Sequence, residues 1–203
     1  MVIIGLDLAG VESRPTGFCI LQDNLVVETR LIYTDEEAMR LILTYKPFVT
    51  AIDAPLFLPK GRSSLEDRAG PHLRVCDRIL LNSGIRFFPI TLGPMRKLTS
   101  RGMSLKMRLE AAGLKVIEAY PGGAQDALGI PRAKYDLEGL KNGLIRLGLK
   151  GLRDNSSIHE LDATTAAYVG YLYYIDKYLA LGDPSEGYMI MPKSEKFKLN
   201  LRE

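Results

Sequence analysis

Three short apolar runs, each carrying a single carboxylate near its carboxyl end, constrain this chain more than any other feature. Val2 to Leu8 carries Asp7, Phe48 to Ala54 carries Asp53, and Leu114 to Tyr120 carries Glu118. Apolar runs of this length without polar alternation read as strands buried on both faces, the pattern of a parallel or mixed sheet. A charge inside such a strand is expensive unless something pairs it. The carboxyl edge of an open α/β sheet is also where ligands bind. Three acids in corresponding places therefore point to one edge and one site.

The remaining pattern supplies the rest of the sandwich. Gly17 to Leu21 and Leu25 to Tyr33, on either side of Gln22-Asp-Asn24, read as an antiparallel meander. Thr34 with Glu37 forms a capping box that opens a helix to about Tyr45, and Lys46-Pro47 stops it. Further helices are predicted over His72–Leu81, Met103–Ala112 and Leu137–Leu149, and Ser157 with Glu160 opens a long one through about Ala180. Gly187 to Pro192 reads as an edge strand. The expected fold class is α/β: a mixed five-stranded sheet with helices on both faces and an insertion between the fourth and fifth strands.

A hydrophobic content of 46% with 25% charged residues fits one ordinary globular domain over 1–203, with the insertion at 60–108 and a tail at 183–203. That composition excludes collagen, coiled coil and disorder. No apolar run approaches the roughly 20 residues of a membrane span. An acid at position 7 stands where a signal peptide carries basic residues, so the expected location is cytoplasmic. Cys19 and Cys76 have no nearby Cys or His and predict no disulfide.

The net charge of +3 hides a segregated one. Between Lys60 and Arg108 eleven basic residues face three acids, giving +8, against −5 for the remainder. That split fits a face that attracts phosphate, with Arg68, Arg74 and Arg78 as candidate nucleic-acid contacts and Asp77 as a local partner of Arg78. A fourth acid, Asp162, lies early in the last helix beside the packed stripe of Leu161, Thr165, Tyr168 and Leu172. Capping explains Glu160; it does not explain Asp162. Small residues after Asp162 let this helix lie close to a sheet. Clustered carboxylates repel unless a cation sits among them, and oxygen ligands select Mg²⁺ or Mn²⁺. A pair of such ions supports in-line displacement at phosphorus. His72 and His159 lack partners at ligand spacing and read as surface or capping residues.

Asp7 in the first strand, a meander, a helix, Asp53 in the fourth strand and Asp162 in the last helix together resemble the ribonuclease H-like superfamily. More narrowly, Ile4-Gly-Leu-Asp-Leu-Ala9, Ile52-Asp-Ala-Pro-Leu56, Ile117-Glu-Ala-Tyr-Pro121 and Leu161-Asp-Ala163 resemble domain-of-unknown-function family 429, a family of predicted nucleases. The likeness spans roughly the first 175 residues. It implies a Mg²⁺- or Mn²⁺-dependent nuclease in which Asp7, Asp53, Glu118 and Asp162 are catalytic. Asp7, Asp53 and Asp162 would be the metal ligands, and Arg74-Val-Cys-Asp-Arg78 a basic motif. Gly122-Gly123 departs from the pattern, which has a small residue and then an acid there. Two other readings stay open: an actin-like or sugar-kinase-like phosphate loop at Asp7-Leu-Ala-Gly10 with Thr16-Gly17, and a binding module without turnover.

Overall fold

The structure is a computed structural model and describes residues 1–200; the end of the expected tail, 201–203, lies outside the described residues. Seven strands form one sheet: β1 (Ile3–Asp7), β2 (Thr16–Leu21), β3 (Val27–Ile32), β4 (Val49–Asp53), β5 (Val116–Ala119), β6 (Tyr178–Asp183) and β7 (Gly187–Pro192). Their order is β3-β2-β1-β4-β5-β7-β6. Strands β1, β4, β5 and β7 run parallel, while β2, β3 and β6 join antiparallel to their neighbours.

The expected count of five is therefore corrected to seven. The addition is a C-terminal hairpin, β6–β7. The segment at Gly187 to Pro192 is not the edge strand, because β6 lies outside it. The expected helix through Ala180 breaks at Asp176, where φ reaches 57° and the Lys177 N–H closes on the Leu172 carbonyl. The chain then turns back as β6.

Among the described residues six α-helices flank the sheet: α1 (Asp35–Tyr45), α2 (Val75–Asn82), α3 (Gly93–Ala111), α4 (Pro121–Leu128), α5 (Leu137–Arg146) and α6 (Ile158–Tyr174). Residues alternate between faces along each strand. Ile4, Leu6, Phe18, Ile20 and Ile52 pack with Ala38, Met39 and Ile42 of α1 and Leu105 and Leu109 of α3. Ile3, Cys19, Val49, Ala51 and Ala119 face α6, which covers the centre of the opposite side. Cys19 and Cys76 are buried free thiols. No helix among the described residues is long and apolar enough to cross a membrane.

Close seating of α6 fixes the geometry at the sheet edge. A Cβ placed on Gly5 would stand 2.1 Å from the Ala163 carbonyl oxygen, and one on Gly17 would stand 1.9 Å from that of His159. Only glycine at both positions lets the helix backbone rest directly on β1 and β2. At its start, the Ser157 side chain accepts from the Glu160 N–H while Glu160 Oε2 accepts from the Ser157 N–H at 2.9 Å, the reciprocal cap expected from sequence.

The basic insertion between β4 and β5 is partly interior. Arg62 is 6% exposed and donates to the carbonyls of Ser64, Asp67, Gly70 and Pro71, so it folds its own loop. Arg101 ties Asp35 to the carbonyls of Ala9 and Tyr33. Arg74 is 2% exposed and forms the hub of a buried ion triad with Asp77 and Glu118. Three of the eleven basic residues, Arg62, Arg74 and Arg101, are therefore buried and hold the chain in shape instead of facing solvent.

Candidate active site

The parallel register of β1 and β4 places Asp7 directly beside Asp53 at the carboxyl ends of both strands. Both side chains point to the α6 face. Helix α6 crosses this edge and contributes His159 and Asp162, three residues apart and hence neighbours on one helical face. His159 Nδ1 donates to Asp7 Oδ2 at 2.6 Å. Gln125 of α4, itself buried, donates to Asp162 Oδ1 at 2.7 Å and to Thr165 Oγ1 at 3.2 Å. Four elements, β1, β4, α6 and α4, thus meet at one edge.

Like charge dominates the electrostatics. Desolvation, then Asp7, Asp162 and Glu118, all raise the Asp53 pKa well above its ordinary value. Asp162 is pushed up to about 6 by desolvation and by Asp7, against the opposing pull of the Gln125 hydrogen bond and of His159 and Arg132. The hydrogen bond to Asp7 raises the His159 imidazole above its ordinary value. Protonated, His159 places a positive charge against the acids. The sequence reading of His159 as a surface or capping residue is corrected by its place against Asp7. The spacing of three from Asp162 on a helix is the signal that points to it.

Glu118 does not join the aspartates. Its register partner is Ile52, whereas Asp53 lies opposite Ala119, so alternation turns the Glu118 side chain to the other face. There Glu118 Oε2 accepts from Arg74 Nη1 at 2.8 Å and from the Leu56 N–H at 2.7 Å. Arg74 also donates through Nε and Nη2 to both oxygens of Asp77. Asp77 caps α2 by accepting the Arg74 N–H at 2.9 Å, which is why that helix begins at Val75 and not at His72. The Arg74 guanidinium stands 4.5 Å from the Phe57 ring centroid. Two expectations are corrected: Arg74 is a buried anchor and not a phosphate contact, and Asp77 pairs with Arg74 instead of Arg78. Arg68 and Arg78 are exposed. Through Leu56, the Glu118–Arg74–Asp77 triad holds the segment that follows Asp53.

Sequence reading also misses α4. Its signals are Pro121 at the first helical position and Gly129 in the left-handed conformation just past the last. This helix explains Gly122-Gly123. A Cβ on Gly123 would stand 2.6 Å from the Tyr120 ring, so a side chain has no room there, whereas one on Gly122 would stand 3.1 Å from the end of the Arg132 side chain. At the β1–β2 turn, the Ala9 N–H donates to Thr16 Oγ1 at 3.1 Å. A phosphate loop needs such amides free, so this bond weighs against the nucleotide-loop reading.

Among the described residues no three His, Cys, Asp or Glu side chains already stand as a ligand set for one metal ion. The chemistry of the donors nonetheless fits a hard divalent cation. Three aspartates gather with only partial counter-charge from His159 and Arg132, and the repulsion that raises Asp53 and Asp162 is what such a cation relieves.

No protein-family model matches the chain, so its resemblance to family 429 rests on motifs alone. No curated protein matches it either. Among solved structures, Thermus thermophilus RuvC in complex with a Holliday junction substrate is similar over 93% of this chain and 100% of that one, with 13% identity and a TM-score of 0.52. A second structure of Thermus thermophilus RuvC covers the same shares at 14% identity and a TM-score of 0.46. The first likeness, together with the strand order and the crossing of α6, shows that this chain has the ribonuclease H-like fold.

Proposed function

We propose that the chain is a metal-dependent nuclease that hydrolyses phosphodiester bonds in nucleic acid. The observation that supports this most is the convergence of Asp7, Asp53 and Asp162 at the carboxyl edge of the sheet, with Asp53 raised by its acidic neighbours. These three carboxylates would hold Mg²⁺ or Mn²⁺. When bound, such an ion supplies an activated water and neutralises charge developing on the phosphoryl oxygens.

The chain's own residues do the rest. Asp7 fixes the His159 ring through Nδ1, which leaves Nε2 as the atom able to take or give a proton at the reacting phosphate. Gln125 orients Asp162. Glu118, spent on Arg74 and Leu56, positions the Asp53 strand end instead of touching substrate. RuvC carries a Holliday junction in its complex, so a four-way junction belongs among the substrates to test. Arg68 and Arg78 are the exposed basic residues of the insertion offered for phosphate contact.

The test is cleavage of labelled single-stranded DNA, duplex DNA, RNA and a four-way junction, with and without Mg²⁺ or Mn²⁺, by the wild type and by Asp7→Asn. Cleavage that requires the ion and vanishes in a folded Asp7→Asn variant is expected. Equal cleavage by the variant, or none by the wild type on any substrate, overturns the reading.

A further inference from the structure

A groove of mixed aromatic and basic character leaves the acidic edge. One cavity of about 180 Å³ has Asp53 on one wall and Phe88 on another. A second, of about 550 Å³, is lined by Arg86, Lys134 and Tyr135. Phe87, Phe88 and Tyr120 border both, so the two adjoin along these rings. Phe88 is 69% exposed and Tyr135 is 74% exposed, the two highest values among the large hydrophobics in the described residues.

The wall between the cavities is built, not floppy surface. The Tyr120 hydroxyl donates to the Arg86 carbonyl at 2.5 Å, and Arg132 Nη1 donates to that hydroxyl at 3.1 Å. Arg132 is in turn paired with Asp126. This network fixes the backbone that presents Phe87 and Phe88. The Arg132 charge is used internally, whereas Arg86 and Lys134 are exposed. Lys134 Nζ lies 4.6 Å from the Tyr135 ring centroid.

We propose that this groove binds an unpaired segment of the nucleic-acid substrate, with a base stacked on Phe88 and backbone phosphates held by Arg86 and Lys134. Exposed ring faces are of little use against a duplex, whose bases are stacked on each other and present only their edges. Against a single strand, ring faces and spaced cations are the two elements needed. The inference rests on the nuclease reading in one respect: the groove opens on Asp53, so the strand it holds continues into the acidic site. It narrows the substrate class to nucleic acid with single-stranded bases next to the cleaved bond.

Binding is measured by fluorescence anisotropy on the full chain in a chelating buffer, so that cleavage plays no part. The probes are a labelled non-self-complementary single strand, as DNA and as RNA, and a duplex of equal length. Tighter binding of the single strand is expected, weakened at least about fivefold by Phe88→Ala, which removes one stacked base, and retained by Phe88→Tyr. Replacing Arg86 and Lys134 together by Ala lowers the salt slope by about 1.4 on single strands, whereas Phe88→Ala leaves the slope unchanged. A duplex bound as tightly as the single strand, or unchanged affinity in Phe88→Ala, overturns the groove. A nucleoside monophosphate that displaces the strand at equal base concentration also overturns it. Cleavage assays separate the two readings. Groove binding without ion-dependent cleavage removes the nuclease and supports the groove; cleavage indifferent to Phe88→Ala does the reverse.

Discussion

Replacing Asp162 by Asn tests whether the acidic edge stores repulsion. The Asn side chain keeps an oxygen able to accept the hydrogen bond from Gln125, so the substitution removes charge with little change in shape. Burial and Asp7 shift the Asp162 pKa from an ordinary 3.8 to about 6. That displacement corresponds to up to about 3 kcal/mol of folding free energy. The folded pKa lies above the unfolded one, so this stability is present below about pH 4, is lost between pH 4 and 6, and is absent at pH 8.

Asp162→Asn should therefore match the wild type near pH 4. It should exceed it by up to about 3 kcal/mol at pH 8, a rise in Tm on the order of 5–10 °C for a chain of this size. Urea denaturation across this pH range, in a chelating buffer, reads the difference directly. Saturating Mg²⁺ should narrow the gap, because the ion stabilises only the protein that binds it. A variant less stable than the wild type at pH 8, or a difference that does not change between pH 4 and 8, would refute the account of the site as an unbalanced cluster of carboxylates.

Arg74→Met leaves Glu118 and Asp77 buried without their cation and should cost about 3–5 kcal/mol in urea denaturation; a loss below about 1 kcal/mol would show that the triad is not desolvated. Gly17→Ala forces a methyl group into the His159 carbonyl, so the first turn of α6 must lift. Cleavage should fall at least tenfold and the His159 imidazole resonances should move, and an unmoved resonance would contradict the direct seating of α6 on β2. Arg68→Ala with Arg78→Ala should flatten the salt dependence of duplex DNA binding by up to about 0.9 for each phosphate no longer neutralised, with ion-dependent cleavage retained at low salt; identical slopes would place both residues off the binding face.

The sheet edge was legible because buried parallel strands need continuous apolar runs, so an acid within one stands out. Asp7 and Asp53 could be named on that ground, and Asp162 because helix capping accounts for Glu160 and not for it. Glu118 stood out for the same reason as Asp7 and Asp53, but its face depends on a cross-strand register that pairs Ala119, not Glu118, with Asp53. A buried arginine looks like an exposed one in sequence, and the partner that explains Arg74 lies 44 residues away. Helix α6 blurred into β6 because Leu172, Ile175 and Leu179 continue its spacing through Asp176, a non-glycine residue in the left-handed region with no local signal. The spacing of His159 was visible, but its partner, Asp7, comes from the other end of the chain.

That last separation, 152 residues between His159 and Asp7, bears on when the acidic edge can be assembled during synthesis of the chain. Chains emerge from the ribosome N-terminus first, and contacts between distant segments form late because a long loop must close before they form. Strands β1 to β5 can be complete while α6 is still being made. At that stage Asp7 and Asp53 stand side by side without Asp162, His159 or the helix that seats on Gly5 and Gly17. A nascent chain then carries two of the three aspartates, and the edge is completed only when α6 docks.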